Sequence, residues 1–92
     1  MTGKPNELGV ASQRVARNIR LLRRHRDLSY AELSRRLAAA GHPILDTGLM
    51  KIEKGDRRVN VDDLAALAEV LQVEACALLG EITLSIGEGG KS

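Results

Sequence analysis

Apolar residues recur at helical spacing in four stretches of this chain, and in a fifth they switch to strict alternation. Val15, Ile19 and Leu22 fall at i, i+4 and i+7, Leu8 and Ala11 extend the stripe, and Arg14, Arg17, Arg20 and Arg24 lie mostly off it. This predicts a first helix from Ser12 to about Arg26-Asp27, after a loose arm over residues 1–11. Ser29-Tyr30-Ala31-Glu32 has the form of a capping box, in which the serine hydroxyl accepts the Glu32 N–H and the Glu32 carboxylate reaches back to the Ser29 N–H. A second helix therefore begins at Tyr30 and turns Leu33 and Leu37 inward. Gly41 stops it, and Pro43 keeps His42 out of helical geometry. A short third helix, capped by Leu45 or Asp46, runs to Lys54, buries Leu49 and Ile52, and ends at Gly55. After the charged turn Asp56-Arg57-Arg58, Asn60 caps a fourth helix whose first turn carries Asp62 and Asp63, where acids meet the helix dipole favourably. Leu64, Leu67, Ala68 and Leu71 are its inner stripe. Residues 74–79 read as a short fifth helix closed by Gly80.

Ile82-Thr83-Leu84-Ser85-Ile86 alternates with period two, which predicts a short strand. No other segment reads as a strand, and a lone strand is unstable in water. Pairing with the same segment of a second chain across a two-fold axis solves this, with Ile82, Leu84 and Ile86 on one face of a two-stranded ribbon. The other arrangement open to the sequence leaves residues 81–92 as a loose tail and dimerises through Ala75, Leu78 and Leu79 of helix five.

Ninety-two residues make one domain, here residues 12–80, with a flexible tail over residues 87–92. Tyr30 is the sole aromatic residue, so the core is aliphatic. Readers of single strands and RNA, which stack bases on several aromatic rings, are disfavoured. The single cysteine, Cys76, has no internal disulfide partner and reads as a small buried apolar residue. His25 and His42 read as surface residues, and no His/Cys/Asp/Glu spacing suits a metal; no cofactor is expected. No Ser/His/Asp or Cys/His arrangement and no phosphate-binding glycine loop is present, so an enzyme is not expected. The opening residues lack the apolar core of a signal peptide, and no apolar run is long enough to span a membrane. The expected setting is cytoplasmic, without a membrane partner.

Charge sharpens the picture. Residues 1–58 hold 13 Lys/Arg against 6 Asp/Glu, whereas residues 59–92 hold one Lys against 6 acids. A basic half joined to an acidic half suits a domain that turns one face toward a polyanion, although an arginine-rich helix is more often simply a solvated face. Two short helices joined by a glycine-containing turn, flanked by an arginine-rich helix and a basic turn, are what a helix-turn-helix requires.

The runs Ile19-Arg20-Leu21-Leu22-Arg23, Leu28-Ser29-Tyr30-Ala31-Glu32-Leu33, Ile52-Glu53-Lys54-Gly55 and Leu64-Ala65-Ala66-Leu67-Ala68, taken in that order, resemble the phage-repressor/Cro-like (XRE-type) helix-turn-helix family. The resemblance spans residues 12–80 and implies a compact five-helix, all-α repressor-like bundle. It implies that Arg23 and Glu53 form a salt bridge between helices one and three. It places Asp46, Thr47 and Lys51 toward DNA bases, and Tyr30, Lys54 and Arg57 on phosphate oxygens, with Ser29 close by and Arg58 beside Arg57. The bland counterparts are a solvated Lys51, an Asp46 that only caps its helix, and a plain charged turn at Arg57-Arg58. Two features depart from the family pattern. Residues 38–42 lengthen the connection between helices two and three by about a turn, and Gly48 stands where a polar residue is common. Glycine inside a helix costs roughly 1 kcal/mol relative to alanine, so something must favour it, such as close approach of backbone to DNA.

The expected function is sequence-specific binding of double-stranded DNA by a homodimeric transcriptional regulator, a repressor or autoregulator of bacterial or phage type. The alternative is a protein-interaction module, antitoxin-like or polymerase-associated, that docks a protein partner through its helices and C-terminal strand.

Overall fold

Val15, Ile19 and Leu22 share one face of the first helix, and the rest of the chain is packed against that face. The computed structural model describes residues 9–82. These form five helices: α1 (Val10–His25), α2 (Tyr30–Ala39), α3 (Asp46–Lys54), α4 (Val61–Leu71) and α5 (Ala75–Leu78). The architecture is all-α, with no strand among the described residues. α1 packs on α3, α4 and α5, while α2 packs on α3 and α4. The core is aliphatic, with Leu33, Leu37, Leu49, Ile52, Leu67, Leu71 and Leu78 fully enclosed. Leu28 and Ile44, in connections where no periodicity marks them, are also buried.

Helix α1 starts two residues before Ser12, with Gly9 at its N-cap and Val10 and Ala11 inside it rather than in an arm. Ser29 caps α2 by accepting the Glu32 N–H at 3.0 Å. The expected return contact gives way to local ion pairs: the Glu32 carboxylate accepts from Arg35 and from Arg36 Nε. A complete capping box stands instead at α4. Asn60 Oδ1 accepts the Asp63 N–H at 2.7 Å, and Asp63 Oδ2 accepts the Asn60 N–H at 3.1 Å. Leu45 holds the N-cap position of α3 without a side-chain cap, and Asp46 Oδ1 accepts the Thr47 N–H at 2.9 Å.

The four longer helices end in one device. A residue one or two positions past each helix takes a left-handed backbone and the next N–H reaches back to the carbonyl five residues earlier: Leu28 to Arg23, His42 to Leu37, Asp56 to Lys51 and Val73 to Ala68. Glycine fills the left-handed position after α2 (Gly41, φ +89°) and after α3 (Gly55, φ +85°). Asp27 (φ 59°) and Gln72 (φ 63°) fill it after α1 and α4, where a side chain is strained.

Some local expectations change in three dimensions. Cys76 is exposed, because α5 turns Leu78 rather than Cys76 into the core. Leu78 is 0% exposed within a single chain, which removes it from any helix-five dimer contact. Ile82 is half-buried and packs against the core. Leu84 and Ile86, and with them the expected strand over 82–86, lie outside the described residues. No helix among the described residues is long and apolar enough to cross a membrane.

Candidate nucleic-acid interface

The third helix presents two contrasting sides. Leu49 and Ile52 point into the core, while Asp46, Thr47, Met50, Lys51 and Lys54 are exposed. The three residues assigned to bases, Asp46, Thr47 and Lys51, are thus brought together on the outer surface of one helix. Ser29 is exposed at the start of α2, and Arg58 is exposed in the turn after α3.

Two polar assemblies hold α3 in place. The first joins it to α1. Arg23 Nε donates to Glu53 Oε2 at 2.7 Å and Nη2 to Oε1 at 3.2 Å, in a two-point contact. Arg23 Nη1 also donates to the Leu28 carbonyl at 2.9 Å, and the guanidinium lies 4.1 Å from the centre of the Tyr30 ring. Side-chain exposures of 11% and 3% place Arg23 and Glu53 largely out of water. The hydrogen bond to Glu53, opposed by burial, raises the Arg23 pKa further, so the guanidinium stays charged.

Tyr30 belongs to this assembly. Its hydroxyl donates to Glu53 Oε1 at 2.8 Å, and burial together with that bond raises the phenol pKa. The expected phosphate ligand is therefore tied inward by its own hydroxyl, because Glu53 offers a charged acceptor in a low-dielectric setting.

The second assembly centres on Asp63, a carboxylate 4% exposed at the first turn of α4. His42 Nε2 stands 2.6 Å from Asp63 Oδ1, and Arg57 Nη2 stands 3.5 Å from Oδ2. One buried acid thus ties the connection before α3 to the connection after it. Burial alone would raise its pKa; His42, the Asn60 N–H and Arg57 outweigh that and hold it below the usual carboxylate range. His42 is half-buried rather than a surface residue because it satisfies this acid. Ser34 Oγ adds a bond from α2 to the Ile44 carbonyl at 2.6 Å.

The bonding roles of Asp63, His42, Ser34 and Asn18 depart from what the local pattern predicts. Asn18 is fully buried and donates to the Leu78 and Gly80 carbonyls at 2.9 and 2.7 Å, locking α1 to the end of α5. Only Asp63 carried a readable signal, its three-residue spacing from Asn60.

One stretch of the surface is apolar. Val10, Val61 and Leu79 are exposed, Val61 to 80%, beside a groove lined by Val15, Val59 and Leu64. Among the described residues no group of His, Cys, Asp and Glu is arranged to hold a metal ion. No family model, no curated protein and no solved structure matches this chain.

Proposed function

We propose that this chain is a sequence-specific, double-stranded DNA-binding transcriptional regulator that acts in the cytoplasm as a homodimer, by occupying its operator. The observation that carries the reading is the contrast across α3: Leu49, Ile52 and Glu53 anchor its inner side, and its outer residues Asp46, Thr47 and Lys51 are exposed, as a base-reading surface requires. Rigid anchoring matters because direct readout depends on side chains held in register with the major groove. The exposed arginines of α1, Arg14, Arg17, Arg20 and Arg24, supply sequence-independent attraction to phosphate. A single nine-residue recognition helix buries too little surface for useful specificity, which argues for two copies on two half-sites about one helical turn apart.

The exposed apolar face around Val61 favours a second reading, an adaptor that docks on another protein. Selection from a random duplex library, followed by salt titration of the selected fragment, separates the two. A DNA regulator enriches one sequence and loses affinity linearly in log salt. No enrichment, and no duplex binding at low salt, would refute it.

A further inference from the structure

Gly48 lies in the interior of α3, where glycine is unfavourable, and the structure supplies a reason for it. A Cβ at this position would meet Arg57 Nη1 at 2.7 Å and Ile44 Cγ2 at 3.2 Å. The space that a side chain at 48 would fill is therefore occupied by a guanidinium from the turn after the helix. Arg57 is held both by its backbone and by its guanidinium. The Arg57 N–H donates to the Lys51 carbonyl at 3.2 Å, and Nη2 faces the buried Asp63 carboxylate, itself fixed by His42 and the Asn60 N–H. The side chain remains 38% exposed. At 3.6 residues per turn, position 48 is rotated about 60° from Lys51 and about 40° from Ile52. Arg57 thus lies at the margin of the outer surface of α3, on the Lys51 side.

Resting on the proposed DNA-binding function, we propose that Arg57 is a specificity-determining residue of the recognition surface: through the gap left by Gly48 it reads a guanine edge next to the base pair met by Lys51, instead of holding a phosphate. The chemistry suits the position. A planar guanidinium matches guanine O6 and N7 with two parallel donors, and one already oriented by a carboxylate loses little freedom on binding. Gly48 is then a functional residue of α3 through what it omits.

The test uses the full chain on the duplex selected from a random library and on random duplex, each at several salt concentrations. Arg57→Ala should weaken the selected site about 10- to 100-fold, leave random duplex nearly unchanged, and erase preference at one base pair. Arg57→Lys keeps the charge without the fork and should not restore that preference. Gly48→Ala displaces the far end of the flexible Arg57 side chain, requires Ile44 Cγ2 to give by a few tenths of an ångström, and favours the helix, so the fold persists, as a thermal melt will report. It should lose preference at the same base pair, and the double variant should be no worse than either single. Equal weakening on both duplexes, with the salt slope lowered by about one, would make Arg57 a phosphate ligand and overturn the proposal. Retained preference in Gly48→Ala would overturn it as well. A wild-type chain that binds no duplex at all refutes the DNA-binding reading itself, before any variant is made.

Discussion

Arg23 and Glu53 meet through two parallel hydrogen bonds, 2.7 and 3.2 Å long, and so join the arginine-rich first helix to the third. Each makes a further bond: Tyr30 also donates to the carboxylate, and the Leu28 carbonyl also accepts from the guanidinium. Breaking a buried pair by removing one partner costs about 3–5 kcal/mol, because the other charge stays buried and uncompensated. Arg23→Ala and Glu53→Ala should each destabilise the fold on that scale, measured by urea unfolding, and the double variant should cost less than the sum. Tyr30→Phe should cost only about 1 kcal/mol, since the ring still faces the guanidinium. Strict additivity of the Arg23 and Glu53 variants would show that the pair is not coupled.

Asp63 makes the stability of the domain acid-sensitive in a defined direction. Its folded pKa lies below the unfolded value of about 3.9. The unfolded chain therefore takes up the proton more readily. The stabilisation is fully present above the unfolded pKa and is lost as pH falls through the folded one. Asp63→Asn should be less stable than the parent by about 1–3 kcal/mol at pH 7, and the gap should narrow as pH falls from 5 toward 2. Paired unfolding curves across that range check it. A gap that stays constant to pH 2 would mean that Asp63 is not the group responsible.

Gln72 occupies a left-handed backbone position at the end of α4 that glycine adopts without strain. Relief of a left-handed strain of roughly 1–2 kcal/mol, offset by the greater freedom of glycine in the unfolded chain, leaves a net gain of about 0.5–1 kcal/mol for Gln72→Gly. The melting temperature should rise by a few degrees, and Gln72→Val should lower it. Calorimetry showing no rise for the glycine variant would contradict the assignment of strain at this turn.

Lys51 and Lys54 both lie exposed on α3, yet they should behave differently on DNA. Lys51→Ala should weaken the preferred site by about 1–3 kcal/mol and relax preference at one base pair. Lys54→Ala, in the last turn, should weaken selected and random duplex alike and lower the salt slope by about one. Identical behaviour of the two variants on both duplexes would show that the outer face of α3 does not read bases.

What was legible in the sequence is what short-range physics controls. Stripes at i, i+4 and i+7 fix which side of a helix is buried, and Ser29, Gly41, Gly55 and Asn60 mark helix ends through bonds that span only a few residues. Those signals sufficed for the all-helical architecture and for the inner residues of α3, and the family resemblance supplied the Arg23–Glu53 pair. They could not supply what depends on which surfaces meet. Asn18 finds its acceptors 60 and 62 residues away, His42 finds Asp63 across 21 residues, and Arg57 fills the space over Gly48 only because α4 carries a buried carboxylate behind it. A polar side chain has no periodicity that announces its partner. Tyr30 turned from an expected phosphate ligand into a donor to Glu53 because packing α1 on α3 created a buried charge there, and a buried charge takes the nearest donor that tertiary structure brings to it.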